Sequence, residues 1–144
     1  MKKLFVLDAC ALIALLNNED GADIVEKIYD EAYTNNITIM INKVNLLEVY
    51  YGYYKADGKK RADYFLTQYR KHPVVKIGNI TNDLFIEAGR LKANYKISLA
   101  DSIAAAQALV SKGILLTADY EFKALENAKE PIVFKWIRPK KRKL

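Results

Sequence analysis

The chain has 144 residues, of which 51% are hydrophobic and 28% charged, with a single cysteine and a formal net charge of +6. These proportions fit one ordinary globular domain and exclude disordered and fibrous classes; the lone Cys10 excludes an intramolecular disulfide and suits a reducing compartment. Five of the six net charges are supplied by Arg138, Lys140, Lys141, Arg142 and Lys143, which leaves +1 for the rest of the chain. The expected layout is therefore one domain over residues 1–137 and a basic tail over 138–144. Such a tail either binds nucleic acid or is simply solvated.

Met1-Lys2-Lys3 and the apolar residues after it have the outline of a signal peptide, but Asp8 interrupts the run. A central Asp costs about 2.5–3.5 kcal/mol in membrane insertion. No later stretch has the length of a membrane span, so a cytoplasmic location is expected.

Leu4–Leu7 is a continuous apolar run, the pattern of a strand buried on both faces. Ala11–Leu16 starts a helix, and Asp20 is placed to cap the next one, whose inward positions are Ile24, Val25, Ile28 and Ala32. Ile37–Ile41 reads as a second strand, and Asn42 as the cap of a helix from Lys43 to Ala56, closed by the turn pair Asp57-Gly58. Ala62, Phe65, Leu66 and Tyr69 mark a further amphipathic helix. A strand over Pro73–Ile77 precedes a helix capped by Thr81, with Leu84, Phe85, Ala88 and Leu91 inward. Ser98 caps an alanine-rich helix, Ile114–Thr117 is a strand, Pro131–Phe134 is another, and Pro139 ends regular structure. Alternating strands and helices predict an α/β fold, a three-layer α/β/α domain around a parallel sheet of about five strands.

Four carboxylates stand where this chain leaves buried elements. Asp8 follows the first strand, Glu48 lies in the helix after the second, Asp101 opens the alanine-rich helix, and Asp119 follows Ile114–Thr117. Each has a blander reading. Asp8 and Asp119 can cap or turn the chain, Glu48 can be a solvated helix residue, and Ser98-x-x-Asp101 resembles a capping box. Asp101 nonetheless shares a helix face with Ala104, Ala105 and Ala108, which points it over the sheet edge. In open α/β sheets ligands bind beyond the carboxyl ends of the strands.

Acids gathered there would repel one another and hold protons unless cations neutralise them. Mg2+ and Mn2+ prefer such oxygen ligands, and one or two ions at a carboxylate cluster can assist phosphodiester hydrolysis. Competing chemistries lack parts. The only histidine is His72, far from the acids in sequence, there is no Gly-rich phosphate loop, and Cys10 stands where an aspartyl-nucleophile phosphatase would carry its second Asp. Cys10 also lacks an activating base and is read as a small packed residue.

The segments Val6–Leu16, Asn45–Gly52, Ser98–Ala106 and Leu115–Phe122 together resemble, in order, the four motifs of PIN-domain ribonucleases, and the compact size resembles the VapC toxins of type II toxin–antitoxin pairs. This resemblance implies a Mg2+- or Mn2+-dependent endoribonuclease cleaving structured RNA such as transfer RNA. It further implies a homodimer and a small VapB-like antitoxin that occludes the site. By motif position Asp8, Glu48, Asp101 and Asp119 are the implied catalytic and metal-binding acids, with Thr117 orienting Asp119 or a metal-bound water. Ala9 and Cys10 depart from the pattern, which often has Ser or Thr just after the first Asp. Two other roles stay open, a housekeeping PIN ribonuclease and an inactive RNA- or protein-binding PIN module. Tyr50, Tyr51, Tyr53 and Tyr54 either cover the core or form a contact surface; Tyr51, one turn beyond Glu48, is the preferred substrate or partner contact, with Lys140, Lys141 and Arg142 of the tail.

Overall fold

The first apolar run becomes the central strand of the molecule. In the computed structural model, which describes residues 3–34 and 36–139, strand β1 (Lys3–Leu7) pairs in parallel with β2 (Ile37–Asn42) on one side and β4 (Ile114–Thr117) on the other. Strands β3 (Val75–Gly78) and β5 (Val133–Trp136) extend the sheet outward, giving the order β3-β2-β1-β4-β5 with every pair parallel. The chain winds outward from β1 to β3 and then returns to the other side, so the winding reverses at β1. The crevice between β1 and β4 is thus the place where this topology opens a ligand site.

Parallel strands need crossovers, and helices supply them on both faces. Among the described residues these are α1 (Ala9–Leu16), α2 (Ala22–Ala32), α3 (Lys43–Asp57), α4 (Lys59–Arg70), α5 (Asn82–Asn94), α6 (Leu99–Ser111) and α7 (Lys123–Asn127). The alternation of strand side chains divides the core in two. Phe5, Leu7, Ile39, Ile41 and Leu116 face α1–α4, whereas Val6 and Leu115 face Leu84, Leu91, Ile103 and Leu125 of α5–α7. Both sides of β1 and β4 are consequently apolar, the reason these strands read as continuous rather than alternating runs. The expected three-layer α/β/α fold with five parallel strands is the fold found.

Asn42, Thr81 and Ser98 cap α3, α5 and α6 as the sequence suggests, accepting from the amides of Val44, Leu84 and Asp101. Several local expectations are corrected. Asp20 does not cap α2; Gly21 does, with φ of +95°, a conformation that glycine adopts without steric cost. Strands β3 and β5 begin two residues later than expected, past Pro73 and Pro131, whose nitrogens cannot donate to a ladder. The first helix begins at Ala9 rather than Ala11, because Asp8 itself caps it. Phe85 is 68% exposed. The inward stripe of α5 is only Leu84, Ala88 and Leu91, and Phe85 lies a quarter-turn round from it.

Arg138, the first residue of the expected tail, folds back onto the α1–α2 loop, donating to the Asp20 carbonyl at 3.0 Å and pairing with Glu19 at 3.7 Å. Lys140, Lys141 and Arg142 lie outside the described residues. Among the described residues, no helix is long and apolar enough to cross a membrane.

Candidate active site

The carboxyl ends of β1 and β4 deliver Asp8 and Asp119 to the same crevice. Asp8 is 2% exposed. Its Oδ1 accepts from the Ala11 amide at 2.8 Å and its Oδ2 from the Thr117 hydroxyl. Thr117, the fully buried last residue of β4, also accepts from the Asp119 amide at 2.9 Å. Asp119 in turn starts a single 3₁₀ turn, Tyr120–Phe122, by accepting from the Glu121 amide at 3.0 Å. Two of the acids therefore cap helical turns while standing at the crevice. Capping and site placement coincide, since a cap at the end of a strand directs its carboxylate toward the strand end.

The other two arrive on helices. The alanines of α6, among them fully buried Ala104, Ala105 and Ala106, let that helix lie close on β1, β2 and β4, and its first turn carries Asp101. The half-buried Glu48 projects from the second turn of α3, which packs against α6. Asp101, Asp119 and Glu121 each offer a carboxylate oxygen within 4.8 Å of the others. Glu121 was not singled out from the sequence. It sits two residues beyond Asp119 in the same tight turn, and that spacing is the signal that could have found it.

The electrostatics follow from this crowding. Burial pushes the Asp8 carboxyl up to about 7, against the opposing pull of its hydrogen bonds from Thr117 and Ala11, and the charges of Asp119 and Glu48 add to the rise. Burial likewise raises Asp101 to about 8, helped by the negative charges of Asp119 and Asp8. Glu48 is raised by burial as well, with the charge of Asp119 adding and a hydrogen bond from the Asn45 side chain opposing. Acids this close share protons at neutral pH or need a cation between them. An all-carboxylate donor set suits hard divalent ions of the Mg2+ and Mn2+ type, not the softer ones that favour imidazole and thiolate. Cys10 lies at the rim with its Sγ 3.9 Å from an Arg138 nitrogen. Burial pushes its thiol up to about 11, which makes it a poor nucleophile.

The sequence pattern of the PIN domain family matches residues 5–128, nearly the whole described chain. The chain belongs to the PIN domain family. Solved structures show the same PIN fold at low identity. The VapBC complex of Salmonella typhimurium, solved bound to DNA, superposes with a TM-score of 0.73 at 17% identity, covering 96% of this chain and 100% of that one. The VapBC2 complex of Rickettsia felis, bound to a DNA fragment from its promoter, gives 0.69 at 19% identity over 92% and 97%. VapC20 of Mycobacterium tuberculosis, a toxin that cleaves the sarcin-ricin loop, gives 0.65 at 18% identity over 84% and 94%. No individually curated protein sequence matches the chain. Within this PIN domain, the remaining expected contact residue, Tyr51, is 54% exposed on α3 one turn past Glu48. Its neighbours are engaged within the molecule, Tyr50 donating to Asp63 at 2.6 Å and Tyr53 packing on Phe65.

Proposed function

We propose that this PIN domain is a VapC-type endoribonuclease toxin that hydrolyses phosphodiester bonds of structured RNA, transfer RNA among the candidates. The observation that carries the reading is the arrival of Asp8, Glu48, Asp101 and Asp119 from four separate segments at one sheet edge, where burial and neighbouring charge raise Asp8 and Asp101 above the usual carboxylate range. Such an arrangement destabilises the fold when charged, and a divalent cation removes the penalty.

In this reading the four acids hold Mg2+ or Mn2+, with Glu121 at hand as a further oxygen donor. A bound cation of this kind lowers the pKa of its water and neutralises charge building on phosphate oxygens. The protein's own part is positional. Thr117 fixes the Asp8 carboxylate by direct donation and the Asp119 backbone by acceptance, so neither acid needs to reorganise when substrate arrives. The exposed face of Tyr51 offers a ring on which a base of the RNA can stack. A homodimer, a VapB-like antitoxin covering the acidic edge, and a cytoplasmic location complete the proposal, and the resemblance in fold to VapBC complexes supports the antitoxin.

The test is cleavage of total cellular RNA by purified wild type, Asp8→Asn and Asp101→Asn, with Mg2+ or Mn2+ and with EDTA. Cleavage by wild type alone, lost in EDTA, is expected, and mapped cut ends identify the target. Identical patterns from all samples would reject the nuclease.

A further inference from the structure

Two buried amides tie the helix that carries Glu48 to the helix that carries Asp101. Asn42 and Asn45, both with no exposed surface, are three residues apart at the start of α3 and so face the same way. Asn42 Nδ2 donates to Gln107 Oε1 at 2.9 Å, and Asn45 Nδ2 donates to the Ala100 carbonyl at 3.1 Å. Ala100 and Gln107 are seven residues apart on α6, two turns along one face. The result is two polar rungs between the two helices. Apolar contacts tolerate sliding, whereas a buried amide donating to a carbonyl on the facing helix fixes both distance and register.

Asn42 has a structural justification, because its Oδ1 also caps α3 through the Val44 amide at 3.0 Å. Asn45 has none of that kind. Its Oδ1 is buried without any hydrogen-bond partner, alone in this respect among the described side chains. An unpaired buried acceptor costs stability, and an apolar side chain of the same shape would serve packing as well or better. What Asn45 does have is position. It lies one turn before Glu48 on the same helix face, and its amide reaches the carbonyl of Ala100, the residue immediately before Asp101.

We propose that Asn45 is a positioning residue, whose hydrogen bond to the Ala100 carbonyl ties the turn of α3 that carries Glu48 to the first turn of α6 and so sets the spacing between Glu48 and Asp101 for a divalent cation. This rests on the reading of the acids as a metal site. Residues that orient metal ligands typically alter affinity by about 10- to 100-fold when replaced, which is the size of effect expected here.

The experiment uses Asn45→Leu in the full chain, with Mn2+ titrated by calorimetry in the absence of RNA and melting temperature measured in parallel. Melting at or above the wild-type temperature together with roughly tenfold or greater loss of Mn2+ affinity is expected, and kcat for RNA cleavage should fall with KM little changed. Should Leu fail to fit, Asn45→Ala is compared with Val25→Ala, which opens a cavity under α2, a helix that carries none of the four acids. Loss of Mn2+ affinity in Asn45→Ala but not in Val25→Ala supports the positioning role. Wild-type Mn2+ affinity in the Asn45 variants, or equal losses in Asn45→Ala and Val25→Ala, overturns it while leaving the metal site intact. Absence of Mn2+ binding by wild type overturns the metal reading and, with it, this proposal.

Discussion

The Thr117 hydroxyl donates to Asp8 Oδ2 across 109 residues of sequence, and the same oxygen accepts the Asp119 amide. A single side chain at the end of β4 thus joins the acid of β1 to the acid that follows it. Removing only that hydroxyl, by Thr117→Val, leaves the volume nearly unchanged but strips a donor from a fully buried carboxyl. The expected cost is about 1–3 kcal/mol of stability, read from denaturant unfolding, together with at least a tenfold loss of RNA cleavage. Thr117→Ser should retain most of both. Equal activity in Thr117→Val and wild type would show that the hydroxyl only supports the fold.

Protonation gives a second prediction, with a sign that distinguishes it from ordinary acid denaturation. Asp8 and Asp101 are raised from 3.8 to about 7 and about 8. In the window between those values and the unfolded pKa the folded state binds more protons than the unfolded chain, so stability falls as pH rises. The contribution is fully present below about pH 4 and is lost as pH climbs through 7 and 8, at a slope of at most about 1.4 kcal/mol per pH unit for each group. Metal-free protein should therefore melt at a lower temperature at pH 8.5 than at pH 5.5. Mn2+ should recover the stability lost at pH 8.5 and so remove the difference, and Asp101→Asn should flatten the profile. A melting temperature that rises over this range without metal would contradict the proposed environment of the acids.

Glu121 offers a third. Its carboxylate lies within 4.8 Å of those of Asp101 and Asp119 but is exposed, so it can leave without disturbing the core. Glu121→Gln should keep the wild-type melting temperature and weaken Mn2+ binding by about tenfold, within the range seen when groups around a metal are altered. Unchanged Mn2+ affinity would assign Glu121 to solvent.

The α1–α2 junction supplies a fourth. A Cβ on Gly21 would lie 2.5 Å from the Ile137 carbonyl oxygen, and its φ of +95° is already outside the range that L side chains favour. Gly21→Ala should destabilise by about 1–3 kcal/mol, and it should also loosen the neighbouring contact of Arg138 with the Asp20 carbonyl. A neutral effect on unfolding would mean that the loop repacks freely.

What the sequence determined by itself was local or periodic. The continuous apolar run Leu4–Leu7, the caps at Asn42, Thr81 and Ser98, and the alanine face behind Asp101 each follow from neighbours within a few residues. They were enough to indicate the α/β fold and to nominate the four acids. The ambiguity between cap and site residue at Asp8 and Asp119 could not be resolved locally, because both roles are filled at once. Tertiary structure decided the rest. Gly21, rather than Asp20, caps α2, and a side chain there would meet Ile137, a residue more than a hundred positions away. The helix face that admits Leu84 but not Phe85 depends on where α6 lies. The protons expected on Asp8 and Asp101 come from burial and from charges contributed by other segments. The bridge from Asn45 to Ala100 exists only once α3 and α6 are side by side, since its two ends are 55 residues apart.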